Sequence, residues 1–440
     1  MAEDYHKMWA DLGLDLKKHD QLLGVLNEFY PPLFMQQPNR PAGMGYFDFV
    51  ISEVHGLRVK ELLDHKAKGG KVFGTFCLYV PDEIITALGG IPVGLCAGTD
   101  FSIPDAEATL PRNLCPLIKS FYGFKVGKVC PYIEATDLVI GETTCDGKKK
   151  SYEVLSEIHP TYVMEIPQKK NDESFKLWKA EIAQFVKKAE GLTGKKLTAQ
   201  NLKSAIQAHN GKRKALQKLN ALRWAKPAPI SGKDALLISQ IAFYDDLARF
   251  TESVNKLVVE LEARVKAGKG VFPKEATSLM ISGTPFALPN WKLHHVIESS
   301  GYPVIAEESC VGSRYFTELV DESAGTLEGL LDAIAKRYFN IHCACFTPND
   351  ERMDDIVSLF QKSGSKGVIN YTLSFCTPYL VESHAVKKRL DKEKIPMLNL
   401  ESDYGMGDME QLKTRVQAFV ESLKSKGRRG GDPLPSSNPD

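Results

Sequence analysis

The sequence has no run of about 18 apolar residues, so it offers no transmembrane helix. Its start, Met1-Ala2-Glu3-Asp4-Tyr5-His6, is polar and acidic with no apolar core behind it, so no secretory signal is expected. An excess of one charge is missing too. Lys and Arg number 56 against 55 Asp and Glu, a formal net charge of +1. That gives no basic surplus for nucleic acid or for an anionic membrane. No G-x-x-x-x-G-K-[ST] run is present to cradle phosphates, and Gly69-Gly70-Lys71 leads into a strand where a phosphate loop must lead into a helix. No C-x-x-C pair occurs. A cytoplasmic protein is expected, and in that compartment thiols stay reduced.

What is present is an ordinary globular composition. The 440 residues are 43% hydrophobic and 25% charged, which excludes wholesale disorder, collagen-like repeats and a coiled-coil rod. The length suits about two or three domains. Nine cysteines stand out. The number is odd, and too small to staple a chain this long with disulfides.

Hydrophobic spacing divides the chain into an α/β protein with two parallel-sheet domains. Residues 1–70 form a helical N-terminal region, where a periodic run from Phe49 to Leu63 stops at Gly69-Gly70. Residues 71–170 form a first α/β domain. Lys71 to Cys77 and Ile91 to Cys96 read as strands around a helix from Asp82 to Leu88, followed by strands in Asp137–Cys145 and Tyr162–Pro167. Residues 171–275 form a helical insert, with helices expected over Leu177–Ala189, Ala199–Leu222 and Lys233–Ala267. Its basic run Lys212-Arg213-Lys214 reads as a solvated helix face. Residues 276–424 form a second α/β domain, and 425–440 read as a disordered tail.

The two α/β domains repeat each other. Ser282-Gly283-Thr284 matches Phe73-Gly74-Thr75, and Gly301-Tyr302-Pro303-Val304 matches Gly90-Ile91-Pro92-Val93. Val368-Ile369 leading to Cys376 matches Val139-Ile140 leading to Cys145, and Ile395 to Leu398 matches the Tyr162–Ile166 strand. The repeat also orders the cysteines. Cys115 to Cys145 spans 30 residues and Cys345 to Cys376 spans 31; Cys77 to Cys115 spans 38 and Cys310 to Cys345 spans 35. Each half thus carries three cysteines near strand ends, where ligands of open α/β sheets bind. Cys96, inside an apolar strand, and Cys130, with no counterpart, read as buried fillers. Zinc favours four ligands in tight pairs, and only Cys343-Ala344-Cys345 is a close pair. Iron–sulfur clusters accept cysteines from scattered loops.

The motifs carry a resemblance. Gly74-Thr75-Phe76-Cys77 with Val80-Pro81-Asp82-Glu83, Asn113-Leu114-Cys115-Pro116, and Glu142-Thr143-Thr144-Cys145-Asp146-Gly147-Lys148-Lys149 resemble the 2-hydroxyacyl-CoA dehydratase family, which includes benzoyl-CoA reductase subunits. In the second half Glu308-Ser309-Cys310-Val311-Gly312, Cys343 with Pro348-Asn349 and Arg352, and Gly367-Val368-Ile369 leading to Phe375-Cys376 agree. The likeness covers roughly residues 70–405. It implies low-potential iron–sulfur proteins on Rossmann-like domains, fed with electrons by a separate ATP-hydrolysing iron–sulfur activator. Six candidate ligands in one chain are most similar to the double-cubane branch. That branch implies an 8Fe–9S unit of two sulfide-bridged 4Fe–4S cubanes, a homodimer, and ATP-dependent reduction of small multiply bonded molecules. The alternative is an (R)-2-hydroxyacyl-CoA dehydratase subunit with one 4Fe–4S cluster; a third reading is a zinc-holding or electron-storing scaffold.

By the resemblance Cys77, Cys115, Cys145, Cys310 and Cys376 are ligands, and the sixth is Cys345, favoured by spacing, or Cys343, favoured by the motif. Glu142, Lys148 and Glu308 are the candidate catalytic residues, with Asp146 beside them; the competing reading is helix capping or surface pairing. Gly74, Gly141 and Gly312 are expected to let backbone approach the cluster. His159, before Pro160, reads as structural.

Overall fold

Short apolar runs bounded by glycine and proline become eight parallel strands among the described residues. The structure, a computed structural model, describes residues 5–429. β1 (Val72–Thr75), β2 (Ile91–Gly94), β3 (Leu138–Glu142) and β4 (Thr161–Met164) form one sheet in the order β2-β1-β3-β4. β5 (Leu279–Gly283), β6 (Val304–Glu308), β7 (Gly367–Leu373) and β8 (Met397–Ser402) form a second in the order β6-β5-β7-β8. All pairings are parallel. The protein is α/β, with two parallel sheets of the same strand order. The repeat is therefore structural: β5, β6, β7 and β8 fall on the segments matched to β1, β2, β3 and β4. Every residue of β1, β3, β5, β6 and β7 is buried, the pattern of parallel strands covered by helices on both faces.

In each sheet the chain leaves the first strand toward one edge and returns to its other side. Such a reversal opens a crevice outside the carboxyl ends of β1 and β3, and of β5 and β7. Both crevices face a common seam. Gly98 N donates to Leu288 O at 2.8 Å across it, and Tyr79 OH donates to Ile341 O at 2.9 Å. A Cβ on Gly98 would stand 2.1 Å from Ala287 O, so the two halves meet there at backbone distance. One hydrophobic core runs through both halves.

Helices frame the sheets. Within 5–70 lie His6–Asp11, Leu16–Tyr30, Gly45–Ser52 and Leu57–Ala67. The run expected from Phe49 is thus two helices, parted at Glu53–Gly56. In the 171–275 segment Ala199–Leu222 matches its expected span, and Thr198 accepts from Asn201 N as its cap. The expected helix Lys233–Ala267 breaks into Gly232–Ile241 and Leu247–Lys266. Asp246 starts the second by accepting from Ala248 N and Arg249 N. Between them Phe243 O accepts from Gly94 N and Tyr244 O from Arg58 Nε, tertiary bonds that take carbonyls a continuous helix would use. The final helix, Met409–Arg429, passes the 424 boundary; the remainder of the expected tail lies outside the described residues. No helix among the described residues is long and apolar enough to cross a membrane.

Candidate metal centre

The cysteines sit where strands end and helices begin. Cys77 follows β1. Cys115, Cys145 and Cys376 are the N-cap residues of helices Pro116–Val126, Asp146–Ser156 and Thr377–Lys392, the last two directly after β3 and β7. Proline as the first residue in Pro116–Val126, and as the second in Thr377–Lys392, suits a helix start. Unpaired N–H groups and the helix dipole favour thiolate at such positions. Lys148 N donates to Cys145 Sγ at 3.4 Å.

Space sorts the thiols into two groups, and each group mixes the halves. Cys115 shares a hydrogen bond with Cys376, which holds Cys115 below the usual thiol range with help from the Leu117 and Ile118 amides. The charge of Cys145 reaches Cys376, and that of Cys115 reaches Cys145. Cys77 faces Cys310 and Cys343. Cys343 is brought down to about 6 by its hydrogen bond with Cys345, while Cys345 moves up. So Cys115 and Cys145 from the first half join Cys376 of the second, and Cys310 with Cys343 and Cys345 from the second join Cys77 of the first. Both Cys343 and Cys345 lie at the second group: Tyr379 OH is 3.6 Å from Cys343 Sγ and Tyr79 OH is 3.8 Å from Cys345 Sγ.

The interval arithmetic equated Cys77 with Cys310, and the strands do not. Cys310 lies two residues past β6, the counterpart of β2, so its positional partner is Cys96, two residues past β2. Cys96 donates to Phe76 O at 2.9 Å, and burial pushes it up to about 12. It lines the same cavity as Cys77 and Cys310. Cys130 lies in that wall too, with no thiol acting on it, and burial raises it to about 11.

The charged residues beside the thiols are locked in pairs. Lys148 Nζ bonds to buried Glu142, whose carboxylate also accepts from Thr144 Oγ1 at 3.1 Å and Tyr152 OH at 3.2 Å. Burial favours the neutral amine, but Glu142 outweighs it and holds Lys148 charged. That ammonium acts on Cys77, Cys96, Cys115, Cys145 and Cys310, so it stands between the two groups. Glu308 is held by Arg314 at 2.6 Å, Arg352 at 3.0 Å and Ser282 Oγ at 2.6 Å. Arg314 then reaches Cys310 Sγ at 3.5 Å and bonds to Tyr379 OH. Glu308 thus orients the guanidinium that meets the sulfur. Asp146 is exposed and pairs with Lys149 at 2.7 Å. His159 bonds to Thr136 Oγ1 at 2.9 Å, a structural contact.

The three glycines serve packing within the chain. An added Cβ would meet Leu95 at 2.3 Å from Gly74, the Tyr152 ring at 2.6 Å from Gly141 and Glu307 O at 2.3 Å from Gly312. Sequence reasoning missed Arg314, Tyr79 and Tyr379. Arg314 lies four residues beyond Cys310, a spacing that one helix turn brings back toward the thiol. Tyr79 and Tyr379 meet Cys345 and Cys343, which are distant in sequence, so spacing carried no signal for them.

A cavity of about 150 Å³ opens between the halves. Cys77, Cys96, Cys310 and Lys148 line one part of it, within an otherwise largely apolar wall that includes Phe76, Leu117, Phe243 and Phe286. Among the described residues no three His, Cys, Asp or Glu side chains converge in the geometry of a single-ion site. The donor set is instead soft and nearly all sulfur, spread over two groups beside cationic Lys148 and Arg314. That chemistry fits iron–sulfur clusters, which are wider than one ion and carry negative charge.

Comparison with known proteins agrees with this reading of the chain. The family model of the 2-hydroxyglutaryl-CoA dehydratase D-component matches residues 77–423. A putative dehydratase subunit, YjiM, of Escherichia coli K12 is 36% identical over 376 residues, 85% of this chain and 97% of that protein. The (R)-phenyllactyl-CoA dehydratase beta subunit of Clostridium sporogenes is 24% identical over 370 residues, covering 83% and 95% of the two chains. A benzoyl-CoA reductase subunit from Thauera aromatica is 22% identical over 362 residues, covering 80% and 91%.

Proposed function

The chain belongs to the 2-hydroxyglutaryl-CoA dehydratase D-component family, an enzyme family of dehydratases and reductases, and from that premise we propose that it is an iron–sulfur reductase carrying an 8Fe–9S double-cubane cluster. One observation carries the reading: a single chain gathers its cysteines into two groups, each built from both halves, and one group reaches the cavity through Cys77 and Cys310. Cys115, Cys145 and Cys376 would hold one cubane. Cys77 and Cys310, with Cys345 or Cys343, would hold the other. The cluster would supply low-potential electrons.

The chain's own residues shape what happens beside it. Lys148 and Arg314 place positive charge against the thiolates and lower the cost of burying them. Glu142 and Glu308 hold those cations in place. The cavity, about 150 Å³, is of a size suited to a small multiply bonded substrate. Electrons would come from a separate ATP-hydrolysing iron–sulfur activator, since the chain carries no phosphate loop of its own. A homodimer is part of the same proposal.

The relatives' names favour a second reading, a 2-hydroxyacyl-CoA dehydratase subunit with one 4Fe–4S cluster and a different partner subunit. Anaerobic iron and acid-labile sulfide analysis separates the two. About eight irons per chain supports the double cubane; about four supports the dehydratase subunit. Zinc without iron would overturn both.

A further inference from the structure

Reducing a multiple bond consumes protons as well as electrons, and the cavity wall away from Cys77 and Cys310 carries groups that the proposal above leaves idle. His19 and His55 are both buried, and His19 Nε2 stands 2.9 Å from His55 Nδ1. One proton lies between those nitrogens. Trp9 braces the pair, donating from its indole to His55 O at 2.7 Å and lying 4.2 Å from the His19 ring. A pair kept only for packing would satisfy its nitrogens, but His19 Nδ1 is buried without a partner.

The pair lies between the half-exposed His6 and Asp20, whose charges reach the His19 ring, and the cavity. On the outer side the neighbouring Asp20 pairs with His6 at 3.4 Å, both about half exposed. On the inner side His55 lines the cavity together with Tyr132 and Tyr244. The hydroxyls of both tyrosines are buried and without a partner. Their rings stand 6.0 Å from His55 and 5.7 Å from each other, respectively for His55–Tyr132 and Tyr132–Tyr244. Two orphaned hydroxyls in one apolar wall call for water or a small polar guest. Burial holds His19 at about 4 and His55 well below its usual range, so both rings are neutral near pH 7.

We propose that His19 and His55 relay protons from the surface into the cavity beside the cysteines, with Tyr132 and Tyr244 holding the water that carries them onward. The proposal rests on the reductase reading for its purpose. In each passage His19 Nδ1 accepts a proton from the solvent side. The His19 Nε2–H bond breaks as that proton moves to His55 Nδ1. His55 Nε2–H then yields its proton to cavity water. One proton enters and one leaves, no electron moves, and ring rotation returns each imidazole to its starting tautomer. Both histidines act through water and are positioning residues.

Two measurements test it. In oxidised, anaerobically purified protein labelled with 15N-histidine, the His19 and His55 ring protons should exchange with solvent about 100-fold faster than the buried Leu22 amide on the same helix. Protection equal to that amide overturns the relay. With the holoenzyme, His55→Asn should lower turnover roughly tenfold and raise the solvent isotope effect, while electron uptake by the cluster is unchanged and added imidazole restores part of the rate. His159→Asn, which removes a buried histidine outside the cavity, should leave all of these unchanged. A folded His55→Asn with wild-type turnover overturns the relay. If the wild-type protein holds no iron, the reductase reading fails, and the exchange measurement still decides the relay.

Discussion

Cys130 and Cys376 both cap helices, yet only Cys376 faces other thiols. The difference predicts opposite outcomes. Cys376→Ser should lose a large part of the bound iron, whereas Cys130→Ala should keep the wild-type iron-to-protein ratio, both read by anaerobic metal analysis. Glu308 gives a second test at this scale. It is buried and pairs with both Arg314 and Arg352, the second of which Glu382 also holds. Glu308→Gln leaves the buried Arg314 guanidinium without its carboxylate, while Arg352 keeps Glu382, so urea unfolding should show a loss of about 3–5 kcal/mol. The cysteines were legible because thiol chemistry is specific and their spacing repeats. Arg314 and Tyr379 were not, because they act through folded geometry. Cys343 against Cys345 stays open for a physical reason: the two lie in one short loop and both reach the second group.

Strands and helices were legible wherever local rules decided them. Thr198 capping Ala199–Leu222 and the apolar runs of β1, β3 and β7 needed no tertiary help. The break between Ile241 and Leu247 did, because Gly94 and Arg58 draw on its carbonyls from elsewhere in the fold. At the end of β5, Gly283 has φ +137°, and an added Cβ would stand 1.9 Å from Tyr371 O on β7. Gly283→Ala should therefore lower stability by about 2 kcal/mol or more in denaturant titration and disturb the β5–β7 pairing beside Thr284.

The whole molecule is tied together by helix Gly232–Ile241. Its Gln240 donates to Phe286 O at 2.9 Å, accepts from Trp291 Nε1 at 2.7 Å and lines the cavity. Its N-terminus rests on Glu298, which accepts from Gly232 N at 2.6 Å and Lys233 N at 3.1 Å. Burial outweighs Lys233 and these donors and pushes Glu298 up to about 7 from an ordinary value of 4.5. An acid raised in the folded state contributes stability that is full below its unfolded value and lost as pH rises through the folded one. From roughly pH 5 to 8 the wild type should lose stability relative to Glu298→Gln, measured as the difference between their urea midpoints. The sequence by itself determined the α/β class, the repeat and the thiols near strand ends, because hydrophobic period and residue chemistry are local properties. Only the tertiary structure decided which thiols stand together. Strand position pairs Cys310 with Cys96, and each cysteine group draws on both halves, because the seam between two sheets brings together residues that no spacing along the chain can relate.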